Sequence, residues 1–374
     1  METFGRFKLV IVVFLAMVLS CDSEDQLAEE LEDLKEEMVP DSRTLLFDFY
    51  LDHGILRGKT TSALVFEKVE NLLREDYPKI IDSLYVLPSF ELGADTLGII
   101  TVSVANIRSE PRHSAELSTQ ALMGTPVKLL EKTGSWYLVQ TPDQYLGYLE
   151  AGVIVQNAQW ERAVKRVFQS PLGFIRESPS EESRVVSDLC LGDLLGFEGS
   201  MGSYSKVFLP DGRSGYVASS DLAEIPAFLA PESDLSEASS AFLGVPYLWG
   251  GTSFKGMDCS GFSRTLFLEE GIYLPRDASQ QALVGDLIET DSTFSQLVTG
   301  DLLFFGRDND HISHVAVYLG NKRFIHASGW VKYGSFDPDS PNYDGYNLSR
   351  FRFARRMLHS QNVERLNDDT FYNL

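Results

Sequence analysis

The spacing of apolar and polar residues changes several times along this 374-residue chain and divides it into segments. An apolar run, Leu9–Leu19, comes first, and a strongly acidic stretch, 22–43, follows it. From about Thr44 to Leu92, apolar residues recur at three- and four-residue intervals, which predicts helix. Beyond this point short alternating runs, separated by Gly, Pro and Asp, predict strands joined by turns.

The alternating section contains an internal repeat. The segment that starts at Ala105 superposes on the one that starts at Gly173 with a constant offset of 68 residues and no gap. The matching pairs are Arg108 with Arg176, Pro111 with Pro179, Gly124 with Gly192, Gly134 with Gly202, Pro142 with Pro210, Gly147 with Gly215 and Tyr148 with Tyr216. We therefore predict two small all-β barrels, at 96–157 and 158–228.

The rest of the chain has a different pattern. A stretch rich in Pro, Ser and acids, 224–240, predicts a domain boundary. The segment 229–360 that follows is ordered as helix, loop, helix and then strands, which is an α+β arrangement. The segment 22–95, before the barrels, is predicted to be an acidic tether followed by helix, with a packing or capping role.

The net charge excludes one class of partner, and the N-terminal segment predicts where the protein is located. Because 54 acidic residues outweigh 32 basic ones, the net charge of −22 repels phosphate backbones, and we expect no nucleic-acid partner. Arg6 and Lys8 precede an apolar run that is too short to span a bilayer comfortably, which predicts an export signal at 1–21. The signal ends in VLSC and resembles a lipobox, so we expect an exported lipoprotein anchored at the membrane, on its periplasmic or cell-surface side, through acylated Cys21. An ordinary cut near Ser20 is the alternative.

The candidate chemistry centres on one of only three cysteines. Cys190 lies in an apolar, strand-like run that is typical of a buried small residue, so Cys259 is expected to be a free thiol. Cys259 lies in the first turn of a predicted helix. There, free backbone N–H groups and the helix dipole lower the pKa of a thiol.

Two histidines complete a predicted nucleophilic site. If Gly320 to Lys322 form a three-residue hairpin loop, His314 lies diagonal to His326 on one sheet face, whereas a two-residue loop would separate them. Cys259 would then be the nucleophile, His314 its base and His326 the residue that orients the base. His311 is expected at the surface. A zinc site is disfavoured because paired cysteines are missing, and we expect no metal and no cofactor.

Six ordered motifs between about Ala241 and Arg356 resemble a known family. They are YLWGG (Tyr247–Gly251), DCSGF (Asp258–Phe262), LPRDASQQ (Leu274–Gln281), GDLLFF (Gly300–Phe305), SHVAVYLG (Ser313–Gly320) and FIHAS (Phe324–Ser328). Together they resemble the NlpC/P60 cysteine peptidases, a papain-like family that cleaves cell-wall peptides. The resemblance implies the same roles for Cys259, His314 and His326, and it puts Tyr247 beside the nucleophile, near the oxyanion.

The two barrels resemble bacterial SH3-like domains, and the whole arrangement resembles the YkfC-type γ-D-glutamyl-L-diamino acid endopeptidases. That resemblance implies murein peptides of the form L-Ala-γ-D-Glu-diamino acid as substrates, with a free N-terminal amine. The amine would be held by the following residues: Asp258, Ser260, Ser279, Tyr145 and Glu116, with Glu110 as the alternative to Glu116. Arg276 is expected to orient the loop that carries Ser279, to meet a substrate carboxylate, or to pair with Asp277 or another acid.

Three other functions remain open at this point. The same site could act on intact peptidoglycan as a D,L-endopeptidase that remodels the wall. The protein could be a non-catalytic, wall-binding lipoprotein, although the complete set of one cysteine and two histidines argues against this. An acyltransferase on the same papain-like fold is the remaining alternative.

Overall fold

The computed structural model describes residues 24–229 and 234–366, so the predicted signal peptide and Cys21 lie outside the described residues. The chain divides into two compact units. The first contains the described residues up to Thr96 together with two short pieces, Leu129–Glu131 and Gln144–Leu146. The second contains Leu97–Lys128, Lys132–Asp143 and the described residues from Gly147 onward. Within the described ranges, no helix has the length and apolar character needed to cross a membrane.

The first unit combines two helices with a three-stranded sheet. Its elements are α1 (24–38), β1 (Phe47–Asp52), β2 (Ile55–Thr60), α2 (Ala63–Asp76) and β3 (Ile81–Val86). Strand β2 pairs antiparallel with β1 and parallel with β3, and α2 connects the two parallel strands. The buried core of this unit includes Leu27 and Leu31 from α1 and Val65 and Val69 from α2.

Two predictions for this segment were wrong. Residues 24–38 are not a solvated tether, because Leu27 and Leu31 lie four residues apart on one helix face and are buried in the core. The stretch from Thr44 to Leu92 is not continuously helical either. Phe47 and Phe49 alternate with polar neighbours in the period-two pattern of a strand, and helix begins only after Ser62, whose side chain caps α2.

Each repeat forms a seven-stranded sheet. The first contains β4 (Leu97–Ile100), β5 (Val104–Arg108), β6 (Leu117–Leu122), β7 (Pro126–Thr133), β8 (Trp136–Gln140), β9 (Leu146–Glu150) and β10 (Ile154–Val155). After helix α3 (Ala158–Arg162), the second contains β11 (Lys165–Phe168), β12 (Leu172–Arg176), β13 (Val185–Cys190), β14 (Leu194–Met201), β15 (Tyr204–Phe208), β16 (Ser214–Ala218) and β17 (Leu222–Ala223). The spatial orders are β10-β4-β7-β8-β9-β5-β6 and β17-β11-β14-β15-β16-β12-β13. Equivalent strands are 68 residues apart, so the two sheets have one topology, as the repeat predicts.

The α+β domain is built on a six-stranded sheet with the order β20-β25-β21-β22-β23-β24. In chain order its elements are α4 (Ile225–Phe228), α5 (Leu235–Ser240), β18 (Thr252–Ser253), β19 (Gly256–Met257), α6 (Cys259–Glu269), α7 (Ala278–Gln281), β20 (Asp286–Ile288), β21 (Leu302–Gly306), β22 (Ile312–Gly320), β23 (Arg323–Ser328), β24 (Trp330–Ser335), α8 (Gly345–Arg350) and β25 (Phe351–Arg356). Helix α6 packs on β22 and β23 through Phe262 and Leu266, which are buried in the main core. This packing brings the start of α6 to the strands that carry the two histidines.

The turn between β22 and β23 differs from the predicted three-residue loop. It contains two residues, Asn321 and Lys322, with φ angles of 52° and 61°. Left-handed backbone at both positions is the geometry of a two-residue hairpin turn that matches the twist of its strands. A β-bulge between Tyr318 and Gly320 adds one unpaired residue to β22 just before this turn.

The bulge compensates for the shorter turn. Val317 still pairs with Ile325, and the same register continued by one step puts Ala316 opposite His326. His314 is therefore diagonal to His326 on the same sheet face. The predicted register is correct, although a bulge and a short turn produce it instead of a longer loop.

Candidate active site

Cys259 is the first residue of helix α6. Asp258 caps the helix by accepting a hydrogen bond of 2.7 Å from the backbone N–H of Gly261. Cys259 is 7% exposed, and the backbone N–H groups of Val315 and Ser260 lie close enough to its sulfur to favour the thiolate and lower the pKa. Because Val315 follows His314 in β22, the sulfur lies against the strand that carries the first of the two histidines.

The structure brings the two predicted histidines together. Nε2 of His314 lies 2.8 Å from Nδ1 of His326, and their ring centroids are 5.1 Å apart. His326 is 1% exposed, whereas His314 is partly exposed. Since His326 occupies Nε2 of His314, Nδ1 of His314 is the nitrogen left to exchange a proton with a thiol.

Burial keeps the Cys259 thiol and the His314 imidazole uncharged at rest. It raises the pKa of the Cys259 thiol to about 12, with a further contribution from the negative charge of Asp258, and these effects outweigh the N–H groups at the helix start. Burial, followed by the neighbouring His326, lowers the pKa of His314 to about 3. The prediction of a depressed thiol pKa was therefore wrong for this state, because it considered the helix start without the apolar surroundings.

A buried ion pair lies directly beside the nucleophile. The Arg276 guanidinium is 1% exposed and donates to both carboxylate oxygens of Asp258, at 3.1 and 2.6 Å. Its Nη1 also donates to the Ser260 hydroxyl at 3.1 Å. The pairing of Arg276 with an acid was expected, but its main partner is Asp258, whereas Asp277 lies at 4.0 Å.

Asp258 has less free capacity than the sequence suggested. Besides the two bonds from Arg276, it accepts from the backbone N–H of Gly261 and of Gly250 and from the Ser260 hydroxyl. A carboxylate offers about four acceptor positions, so these five hydrogen bonds saturate it. We therefore regard Asp258 first as the anchor of the loops around Cys259, and a substrate ammonium would have to displace one of the present donors.

Strand β6 of the first barrel forms one side of this site. The Thr119 hydroxyl accepts a hydrogen bond of 3.0 Å from Nε of Arg276, and the Gln120 side chain accepts from the backbone N–H of Thr252 at 2.9 Å. At Gly250, φ is 77° and an added Cβ would lie 2.1 Å from the carbonyl oxygen of Leu117. Only glycine allows this approach between the barrel and the loop before the nucleophile.

The two candidate glutamates of the first barrel behave differently. Glu116 is exposed and accepts a hydrogen bond of 2.6 Å from the indole N–H of Trp249, in the motif just before the nucleophile. Glu110 instead forms an exposed ion pair with Arg112 at 2.8 Å. The geometry therefore puts Glu116, and not Glu110, next to the α+β domain.

A second ion pair joins the first barrel to helix α6. Arg264 donates to Asp143 at 2.5 Å, and both side chains are largely buried. Burial alone would raise the pKa of Asp143, but the charge and hydrogen bonds of Arg264 outweigh it and the pKa is lowered. Arg264 also donates to the Tyr273 hydroxyl at 2.6 Å. Helix α6 is thus held against the barrel by this ion pair, in addition to the hydrogen bond from Arg276 to Thr119.

The remaining predicted residues occupy different surroundings. Tyr247 is half-buried, and its pKa is raised by burial and then by the nearby Cys259 and Asp258, so its phenol stays protonated close to the nucleophile. Ser279 is half-buried in α7. Tyr145 is buried and belongs to the first unit, so its place in a substrate pocket stays a prediction.

Gln281 is a site residue that sequence reasoning missed. Its fully buried amide donates to the carbonyl oxygens of Ser260 and Pro275, at 3.0 and 2.9 Å, and accepts from the Ser263 hydroxyl at 2.7 Å. Its position at the end of the LPRDASQQ motif is the feature of the sequence that could have identified it. Thr119 and Gln120 carried no such signal, because their contacts depend on how the barrel packs on the domain.

Comparison with known proteins agrees with this geometry. Residues 244–346 match the NlpC/P60 family, and 107–152 match the bacterial dipeptidyl-peptidase SH3 domain. The gamma-D-glutamyl-L-lysine dipeptidyl-peptidase of Bacillus cereus (strain ATCC 10987 / NRS 248) is 30% identical over 263 residues, which cover 65% of this chain and 76% of that protein. The chain belongs to the NlpC/P60 family.

Two further relatives extend the similarity of this NlpC/P60 protein beyond the peptidase domain. Dipeptidyl-peptidase 6 of Lysinibacillus sphaericus is 29% identical over 262 residues, 66% of this chain and 93% of that protein. A crystal structure of an NlpC/P60 family protein from Bacillus cereus ATCC 10987 superposes with a TM-score of 0.60 at 24% identity, covering 70% of this chain and 99% of that one, which shows the same fold. The protein is therefore a cell-wall cysteine peptidase with the expected α+β catalytic domain and SH3-like barrel.

Loss of Arg276 should destabilise the peptidase strongly. The substitution Arg276→Met leaves the Asp258 carboxylate buried without a counter-ion, which costs about 3–5 kcal/mol of unfolding free energy. Chemical denaturation of the purified protein measures the change. Arg184→Met is the matched control, because its ion pair with Glu177 is largely exposed and contributes only about 0–1 kcal/mol.

The double variant Asp258→Asn with Arg276→Met removes both charges and should recover part of the lost stability. An equal loss of unfolding free energy in Arg276→Met and in its control variant would contradict the assignment of Asp258 and Arg276 as a buried pair.

Proposed function

We propose that this protein cleaves the bond between D-glutamate and the diamino acid in short cell-wall peptides that carry a free N-terminal L-Ala. The observation that carries this proposal is the contact between Glu116 of the first barrel and Trp249, just before the nucleophile. Among the residues the structure describes, no lysine or arginine forms an ion pair with Glu116. An exposed carboxylate without a cationic partner, beside a peptidase nucleophile, suits a substrate ammonium. The names of the two dipeptidyl-peptidase relatives support the same substrate class.

In the proposed reaction the Cys259 sulfur attacks the γ-carbonyl carbon of the D-glutamyl residue. Nδ1 of His314 takes the thiol proton as the carbon–sulfur bond forms, because both groups are neutral at rest. The tetrahedral oxyanion then collapses to a thioester. The carbon–nitrogen bond breaks, and His314 passes its proton to the amine of the departing diamino acid. A water molecule, deprotonated by His314, hydrolyses the thioester and restores the thiol.

His326 and Tyr247 support this chemistry without reacting themselves. Nδ1 of His326 accepts the N–H of His314 at 2.8 Å and so stabilises the imidazolium that forms during attack. The pKa of the Tyr247 phenol responds to the charge of Cys259, so the two groups are near each other. The protonated phenol is therefore a candidate donor to the oxyanion. Ser260 and Ser279 are proposed to line the amine end of the pocket, together with Glu116 and Tyr145.

The tripeptide L-Ala-γ-D-Glu-diamino acid should be cleaved much faster than its N-acetylated form. Acetylation removes the ammonium that Glu116 is proposed to bind, so kcat/KM should fall by roughly tenfold or more. Chromatography of the released diamino acid measures both rates, and Cys259→Ala should abolish both. Equal cleavage of the two peptides would reject the free-amine pocket. Faster release from intact peptidoglycan than from the tripeptide would favour the wall-remodelling alternative.

Glu116 and Glu110 form a matched pair for testing the source of the amine specificity. Glu116→Gln keeps an acceptor for the Trp249 N–H but loses the charge, so KM for the free tripeptide should rise by roughly tenfold. Glu110→Gln alters only an exposed ion pair and should leave KM unchanged. If Glu116→Gln changed the KM of free and acetylated peptides equally, its role would be structural and the amine contact would be ruled out.

We further propose that acylated Cys21 anchors the protein at the membrane on the exported side. The support is the VLSC sequence after a short apolar run with two preceding basic residues. In bacteria that express the protein, labelled fatty acid should be incorporated into the wild type and into a Ser23→Ala control, but not into Cys21→Ser. Incorporation into Cys21→Ser would overturn the proposed anchor.

A further inference from the structure

The sheet has a pocket of about 370 Å³ beside the second histidine, and its lining includes His326, Lys332, Tyr333, Tyr343 and Asp344. Nδ1 of His326 is engaged by His314, which does not line this pocket. The other ring nitrogen of His326 is Nε2. It is fully buried and has no hydrogen-bond partner among the residues that the structure describes. A buried polar atom of this kind requires an explanation, because leaving it unpaired is costly.

The positions of the protons on His314 and His326 determine which kind of partner Nε2 of His326 requires. His314 can take a proton at Nδ1 only if its own proton resides on Nε2. That N–H then donates to Nδ1 of His326, so the neutral His326 ring must carry its proton on Nε2. The working tautomer therefore carries an N–H at Nε2 of His326, and this buried N–H requires an acceptor.

Asp344 carries the one carboxylate among the described residues that line the pocket. Its side chain accepts from the backbone N–H and the side-chain amide of Asn347, at 2.9 and 2.6 Å. Its backbone N–H donates to the carbonyl oxygen of Ser335 at 2.8 Å, which ties it to the end of β24. A carboxylate has about four acceptor positions, so Asp344 is held in place and still has capacity for further donors.

The charges around His326 agree with this arrangement. Burial lowers the pKa of His326 to about 4, the negative charge of Asp344 opposes that shift, and Lys332 reinforces it to a smaller extent. Asp344 and His326 form no direct ion pair within 4.0 Å in the described part of the chain. Both residues line one polar pocket that is large enough for water. Nε2 itself is covered, so a water that bridges it to Asp344 requires a small shift of the side chains around the ring.

We propose that Asp344 is a positioning residue for the histidine pair, its carboxylate accepting the Nε2 proton of His326 through water in this pocket. The inference rests on the proposed function, since it requires His314 to act as the base. Asp344 thereby fixes the His326 tautomer that can accept from His314. When His314 becomes an imidazolium during attack, the carboxylate stabilises its charge through His326.

Two substitutions separate this role from the capping of α8. Asp344→Asn keeps a preferred N-cap residue but loses the charge, so kcat should fall roughly tenfold with little change in KM or in the unfolding temperature. Asp344→Glu keeps the charge but is not a preferred cap, so it should retain more kcat at a lower unfolding temperature. Asp339→Asn, an exposed aspartate in the same loop, is the matched control and should behave as wild type.

Nitrogen NMR of protein labelled at histidine gives an independent readout, with His326→Gln used to assign the signals. The wild type should show His326 protonated on Nε2, and Asp344→Asn should show a mixture of tautomers. The inference would be overturned if Asp344→Asn kept both the wild-type kcat and the wild-type tautomer. It would also be overturned if kcat fell in step with the unfolding temperature and Asp344→Glu restored none of it. Activity that survives Cys259→Ala would instead overturn the proposed function.

Discussion

The buried pair of Arg276 and Asp258 is the interaction on which the site depends. Asp258 caps the nucleophile helix and holds the backbone of Gly250, while Arg276 binds Asp258, Ser260 and strand β6 of the barrel. Neither charge could remain buried alone, since the desolvation of one is offset only by the other. The pair therefore links the loop before Cys259, the start of α6 and the first barrel, and a disturbance in any of them reaches the nucleophile.

This arrangement also contributes to the charge state of Cys259 and His314. Because Asp258 and the apolar surroundings both disfavour a thiolate, the resting site holds a neutral thiol beside a neutral imidazole. Such a site is protected from adventitious oxidation, since thiolates are the reactive form. Reactivity in the proposed mechanism then arises when the substrate carbonyl is present to receive the sulfur, with His314 taking the proton in the same step.

Spacing and local pattern were sufficient to predict much of the fold and the pairing of His314 with His326. The repeat of 68 residues predicted two sheets of one topology, and the strand register predicted a contact between His314 and His326 that the structure shows. What could not be read from the sequence depends on distant packing. The thiol pKa follows from burial, and the Thr119 contact of Arg276 joins residues 157 positions apart. The alternation around Phe47 is short, and the longer helical spacing of α2 in the same segment obscures it.

The bulge in β22 has a consequence for how related chains are compared. The turn is one residue shorter than predicted, and the bulge adds one residue to β22. The two changes cancel, so the histidines stay on one face of the sheet. A chain that lost the bulge and gained a turn residue would preserve the same geometry with a visibly different hairpin. The site requires the pairing register that puts Ala316 opposite His326, rather than one form of the connection. Drift in loop length can thus be neutral for catalysis whenever the strand absorbs it.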